Sequence, residues 1–221
     1  MDLNNLKYAP QIFRRLNGGH FICASSRNDE QKQWFDALEA DWDGYAEAWK
    51  ATTGLELARG DGYYYFRRKM TGDRRNFEDI AKDYMTYVTV IDLLYSMDQS
   101  FGVGKIITKS WALTSLDANP AAQEICKVRY KGATKDEWAD ALIDELKKLE
   151  IVDCFMNEEQ YEELYPVTEA FEYYTTFIET IKFSSKDEES AVESEQENAP
   201  SLFDEETDVK RNNGVSYGEN T

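Results

Sequence analysis

Along residues 28–53 large apolar side chains recur at Trp34, Leu38, Trp42, Tyr45 and Trp49. Steps of four, four, three and four put them on one face of a helix. Asn28 or Ser26 is suited to cap its start and Gly54 to end it. Residues 55–59 then alternate, Gly60-Asp61-Gly62 supplies turn chemistry, and residues 63–68 form an aromatic run. Together these predict a hairpin. A second helical face follows over 77–98, with Phe77, Ile80, Tyr84, Val88, Ile91 and Tyr95. A short segment at 10–17 lies ahead of this pattern and is closed off by Gly18-Gly19.

The order repeats further along. Gly102-Val103-Gly104 breaks the long helix, and Ile106-Ile107 predicts a short strand. Thr108 is placed to cap a helix over 109–117, and Pro120 suits the first turn of another over 120–127. Thr134-x-x-Glu137 is a capping-box signature ahead of the apolar face Trp138, Leu142, Leu146 and Leu149. Two short strands follow, 151–156 and 161–167, turning at 157–160. A last helix carries Val167, Phe171, Tyr174, Ile178 and Ile181. Helix, hairpin and closing helix are the back half of a winged-helix domain, and here they occur twice without sequence identity between the copies. The predicted fold is therefore mainly α with short β-hairpins, an α+β chain of tandem winged-helix domains over 1–75 and 76–183.

A break in composition falls near Ser184. Residues 184–221 are rich in Glu, Ser and Asn and carry 11 acidic against three basic side chains. That composition predicts a disordered acidic C-terminal tail. The chain as a whole has 43 acidic and 25 basic residues, a formal charge of −18, of which the body carries −10. Such a field repels bulk DNA, so any nucleic-acid contact requires a local basic patch. No run of about 20 apolar residues is present, which speaks against a membrane span. The first residues lack a signal-peptide core, and Cys23, Cys126 and Cys154 are odd in number and widely spaced. Both point to a reduced, cytoplasmic setting with ordinary buried thiols. The 14 Tyr, 11 Phe and 5 Trp exceed the needs of two small cores, so some are expected at interfaces, where aromatics are favoured.

Catalytic chemistry finds little footing. The single histidine, His20, has no Ser, Cys or carboxylate at a telling spacing. Gly102-x-Gly104-Lys105 fails as a phosphate loop, because Gln99 stands at the first glycine position and Ile106 at the Ser/Thr position. Asp41-x-Asp43-Gly44 resembles the start of a calcium loop but lies within a helical pattern and lacks the remaining ligands. No metal and no cofactor is expected. The basic residues fall into groups. Arg67, Arg68 and Lys69 end the first hairpin, with Arg74 and Arg75 just beyond. Lys127, Arg129, Lys131 and Lys135 precede and open the helix at 134–149. They are the candidates for phosphate contact. The same helix carries Asp136, Glu137, Asp140, Asp144 and Glu145, a charge unsuited to reading a major groove. Contact with double-stranded DNA is expected to be weak and independent of sequence.

Three segments resemble the MukE/MksE group, the kleisin-interacting tandem winged-helix (kite) subunits of bacterial MukBEF-like condensins. Residues 42–68 (WDGYAEAWKATTGLELARGDGYYYFRR) are similar to the family's helix, short strand, glycine turn and aromatic strand. Residues 104–116 (GKIITKSWALTSL) resemble its entry into the second helix-turn-helix. Residues 146–171 (LKKLEIVDCFMNEEQYEELYPVTEAF) resemble its second wing and closing helix. The resemblance implies a non-catalytic homodimer that binds a kleisin subunit of MukF or MksF type. It also implies regulation of an SMC ATPase of MukB or MksB type through that kleisin. The expected setting is the nucleoid, in chromosome organisation and segregation or in plasmid restriction. Family members contact DNA with basic residues around the second recognition helix. Lys131 and Lys135 lie near those positions and Lys147-Lys148 matches a basic pair, while Asp140 and Asp144 stand where the family has basic or neutral residues. Two other classes fit the composition: a freestanding acidic inhibitor or DNA mimic, and a winged-helix transcription regulator.

Overall fold

A computed structural model describes residues 8–67, 74–159 and 161–180, with only the backbone of 74–80. The acidic tail and the Arg68-Lys69 pair lie outside the described residues. The chain is mainly helical with short antiparallel strands. Helix α1 (Ala9–Asn17) leads into β1 (Ile22–Cys23), then α2 (Asp29–Ala40), α3 (Trp42–Thr53), β2 (Glu56–Gly60) and β3 (Tyr63–Arg67). Helix α4 (Arg74–Met97) leads into β4 (Ile106–Ile107), α5 (Lys109–Ala118), α6 (Pro120–Arg129) and α7 (Lys135–Lys148). Strands β5 (Phe155–Asn157) and β6 (Glu162–Pro166) follow, and residues 170–180 form the last described helix, α8.

The two halves share a strand plan. In the first, β3 lies between β1 and β2; in the second, β6 lies between β4 and β5, and every pairing is antiparallel. Asp61-Gly62 closes the first hairpin next to the Gly60–Tyr63 pair, with Gly62 at φ 75°, a conformation that glycine adopts without a Cβ penalty. Each short leading strand adds to the return strand of its hairpin. Neither β1 nor β4 is long enough to give a period-two pattern, and β1 was not legible in the sequence.

One predicted element divides in two. The apolar face over 28–53 predicts a single helix, yet Asp41 sits at φ −145° and ψ 52°, ending α2 and starting α3. Its carboxylate accepts from the Gly44 N–H at 3.2 Å, an N-cap bond that competes with helix continuation. Periodicity missed the break because both helices bury the same side. Leu38 on α2 and Tyr45 and Trp49 on α3 pack into one cluster, and Trp42 stacks on Tyr64 at 5.5 Å. The Asp41-x-Asp43-Gly44 run is thus a helix junction. At the other capped starts, Asn28 accepts from the Glu30 and Gln31 N–H groups, Thr108 from that of Trp111, and the Thr134–Glu137 capping box forms in both directions.

Two hydrophobic clusters result. The first joins α1, α2, α3 and the inner face of the first sheet around Ile12, Leu16, Leu38, Tyr45 and Tyr64. The second gathers α4 to α8 and the second sheet around Leu94, Leu116, Leu142, Leu146 and Phe171. Cys23 and Tyr63 of the first sheet, with Phe21 just before β1, pack in the second cluster. The Phe21 ring lies 5.0 Å from Tyr173 and 6.0 Å from both Tyr63 and Tyr174. Part of the aromatic surplus is therefore used between the halves, which lie within one compact unit over 1–181.

Carboxylates of the second half hold the 20–27 loop of the first. Glu150 accepts from Arg15 Nη2 at 2.7 Å and from the Phe21 N–H at 2.7 Å, and lies 2.9 Å from His20 Nδ1. Asp153 accepts from the Arg27 N–H at 3.0 Å, and Glu169 from the Ser25 hydroxyl at 2.7 Å. The Arg27 guanidinium also lies 3.8 Å from the Phe155 ring centroid. His20, the lone histidine, is a member of this seam. Lys105, the lysine of the phosphate-loop lookalike, pairs with Asp98.

Cysteine placement corrects the sequence reading in one respect. Cys23 and Cys126 are buried, and burial pushes their thiols up to about 12 and about 11. Cys154 is exposed. Among the described residues no helix is long and apolar enough to cross a membrane.

Candidate nucleic-acid interface

Helix α7 is amphipathic by design of its sequence. Trp138, Ala139, Leu142, Ile143 and Leu146 are buried, and the Trp138 indole N–H donates to the Tyr130 carbonyl at 3.3 Å. The opposite face presents Asp136, Asp140 and Asp144 to solvent. Lys109, at the start of α5, reaches across to it, with Nζ 3.0 Å from Asp136 and 2.8 Å from Asp140. Those carboxylates hold the Lys109 ammonium above the usual lysine range, Asp140 contributing most.

The basic residues singled out from the sequence divide by what they touch. Arg129 forks onto Glu145, with Nε 2.8 Å from Oε2, and Tyr130 donates its hydroxyl to the same carboxylate at 2.8 Å. Both ends of this pair are about four-fifths buried, at 20% and 18% side-chain exposure, so the guanidinium fastens α6 to α7. Burial, with the Glu145 bond behind it, pushes the Tyr130 phenol well above its ordinary value. Lys127 pairs with Glu124, Lys135 with Asp117 at 2.5 Å, and Lys147 with Asp144 at 4.0 Å. Exposed pairs of this kind are weak, but they cancel charge locally. Lys131 and Lys148 are exposed, and among the described residues no ion pair engages them. Arg67 ends β3, exposed, opposite Glu56 in the ladder. Arg74 and Arg75 open α4, their side chains outside the described residues, as are Arg68 and Lys69.

Among the described residues, four of these cations are thus matched to carboxylates. The outer face of α7 carries carboxylates, and Lys109 and Lys147 are matched to them. Sequence reasoning missed Lys109, whose partners lie 27 and 31 positions away; no local spacing signals such a pair. It also missed Glu150, the acceptor that joins the halves. Among the described residues no group of three or more His, Cys, Asp or Glu side chains is arranged to hold a metal ion.

A concavity of about 240 Å³ lies at the seam between the halves, lined by Arg15, Cys23, Glu150, Asp153 and Cys154 among others. Its carboxylates are already used: Glu150 as above, and Asp153 by the Arg27 and Cys154 N–H groups. A larger groove of about 590 Å³ runs between α7 and the β5–β6 hairpin.

Residues 7–179 match the family described as condensin complex protein MksE. The match covers both halves and ends within α8, so the chain belongs to this family of condensin complex proteins. None of the curated proteins matches it.

Proposed function

We propose that the chain is a non-catalytic kite subunit of a bacterial condensin, built of two winged-helix units. It acts as a homodimer that binds a kleisin of MksF or MukF type and, through it, an SMC ATPase of MksB or MukB type. The observation that carries this reading is the family match over residues 7–179. The repeated plan, a leading strand laid against the return strand of a hairpin that follows a helix bundle, fits two winged-helix units. We assign it to the nucleoid in the cytoplasm, in chromosome organisation and segregation or in plasmid restriction.

DNA contact in this reading is a minor, sequence-independent property. Lys131, Lys148 and Arg67 are its most available cations, with Arg68, Lys69, Arg74 and Arg75 beside the first hairpin. Arg129 serves the fold, and Lys127, Lys135 and Lys147 work against paired carboxylates. With roughly two to four phosphates engaged, log affinity for a short duplex is expected to fall with log salt at a slope of about −2 to −4. Replacing Lys131 and Lys148 by Gln should flatten that slope by about 2 units, and replacing Lys127 and Lys135 should change it far less. Anisotropy titrations across salt test this, and equal effects of the two pairs would overturn the assignment. Light scattering of the isolated chain is expected to give about twice the 25.6 kDa of one chain. A strict monomer at micromolar concentration would contradict the dimer.

A further inference from the structure

We propose that the groove between α7 and the β5–β6 hairpin docks a cationic, apolar-studded segment of a partner protein. Asp140 and Asp144 line it from the helix, and Glu162 and Glu163 from the hairpin. Its floor includes Ile143 and Tyr165, and Tyr161 stands at its edge 89% exposed, the most exposed large apolar side chain described. The Tyr161 backbone is held at φ 51°, in the left-handed region that a bulky residue seldom adopts. Met156, 53% exposed, faces Glu163 across the hairpin ladder and extends the apolar edge. Exposed aromatic and methionine side chains ringed by charge are the composition of a protein interface.

The chain's own lysines show what this groove accepts. Lys109 rests 2.8 Å from Asp140. Lys147 lies 4.0 Å from Asp144 with its ammonium 4.7 Å from the Tyr165 ring centroid, an ammonium over an aromatic face. Glu163 already accepts the Tyr165 hydroxyl, but among the described residues neither lysine pairs with Glu162, so that carboxylate offers capacity that the groove does not fill itself. Charge complementarity selects the occupant. A Lys- or Arg-bearing segment gains where a phosphate backbone is repelled, and the chain's own acidic tail, with 11 carboxylates against three cations, is repelled as well. The inference goes beyond the kleisin reading and does not depend on it.

The test uses the full chain, isotope-labelled, and a repeat peptide of lysine, glycine and leucine as probe, with a short DNA duplex as the competing ligand. Amide shifts on adding the peptide are expected along the outer face of α7 and over 161–165. Replacing Asp140 and Asp144 by Lys, or Glu162 and Glu163 by Lys, should each weaken the peptide by about tenfold or more. Replacing the exposed Asp36 and Glu47 on α2 and α3 by Lys should change it by no more than about twofold, because neither residue lines the groove and exposed charges are screened in physiological salt. Two outcomes overturn the proposal. One is an equal loss from the Asp36 and Glu47 pair, which would make binding a property of overall charge. The other is that the duplex, and not the peptide, shifts the α7 and 161–165 amides. Kleisin capture by the groove variants, measured alongside, separates this surface from the kleisin contact.

Discussion

Replacing Glu150 by Ala is expected to lower stability by about 3 kcal/mol and the thermal midpoint by roughly 6–12 °C. The carboxylate receives Arg15, His20 and the Phe21 N–H. The Phe21 residue is 6% exposed, so its amide would be left without water or partner. The ionic part is discounted, since the Arg15 and Glu150 side chains keep 25% and 21% exposure; most of the loss is the stranded amide and the half-buried guanidinium. Glu150 also has φ 56°, which costs an L-residue about 1 kcal/mol or more. Glu150→Gly should therefore be less damaging than Glu150→Ala by about 1 kcal/mol, although it removes the same carboxylate. A midpoint for the Ala variant within about 2 °C of the parent would mean that the seam between the halves is held by its aromatic contacts alone.

Alkaline unfolding should be steep and should begin just above the ordinary phenol value of about 10. Burial raises the phenols of Tyr63, Tyr64 and Tyr174, Tyr63 to about 12. Glu39 adds to the effect at Tyr64 through the hydrogen bond it accepts. All three are nearly inaccessible, at 6%, 1% and 5% exposure. The folded state keeps these protons while the unfolded chain loses them, so their stability is complete below pH about 10 and is lost as pH rises toward the folded values. Each group withdraws about 1.4 kcal/mol per pH unit in that window, about 4 kcal/mol for the three. Against a total of roughly 5–15 kcal/mol, unfolding is expected between about pH 11 and 12.5. Phenolate absorbance should rise together with the loss of helix. Full ionisation of these tyrosines with the helical signal intact would contradict their burial.

Much of the architecture was legible because it is encoded locally. Thr108, Thr134 with Glu137, and Pro120 mark helix starts within a few positions of their partners, and Asp61-Gly62 marks its own turn. The Asp41 junction was hidden because the cap bond does not disturb the apolar period on either side of it. Strand β1 was hidden because its two residues, Ile22-Cys23, lack the β-branched pair that marked Ile106-Ile107; it is paired along the edge of β3. The candidate interface was legible only in composition. Counting Lys127, Arg129, Lys131 and Lys135 finds four cations, but only the folded chain shows that Arg129 is fastened to Glu145 and that Lys131 alone of the four lacks an ion pair among the described residues. Two of the matching carboxylates come from other helices, Glu145 for Arg129 and Asp117 for Lys135, whereas Glu124 lies one turn before Lys127 on the same helix.

That pattern bears on function. A winged-helix chain that read DNA would leave its second helix cationic and unpaired. Here the outer face of α7 is acidic. Membership of a family of condensin complex proteins is consistent with partnership within a complex.

The most direct test of this account is affinity capture of the tagged full-length chain from its own host at native expression, with mass spectrometry of what remains after a moderate salt wash. The account predicts a kleisin and an SMC ATPase in fixed proportion to the chain, retained when Lys131 and Lys148 are replaced by Gln. Recovery of the chain alone, or with DNA but neither protein, would contradict it.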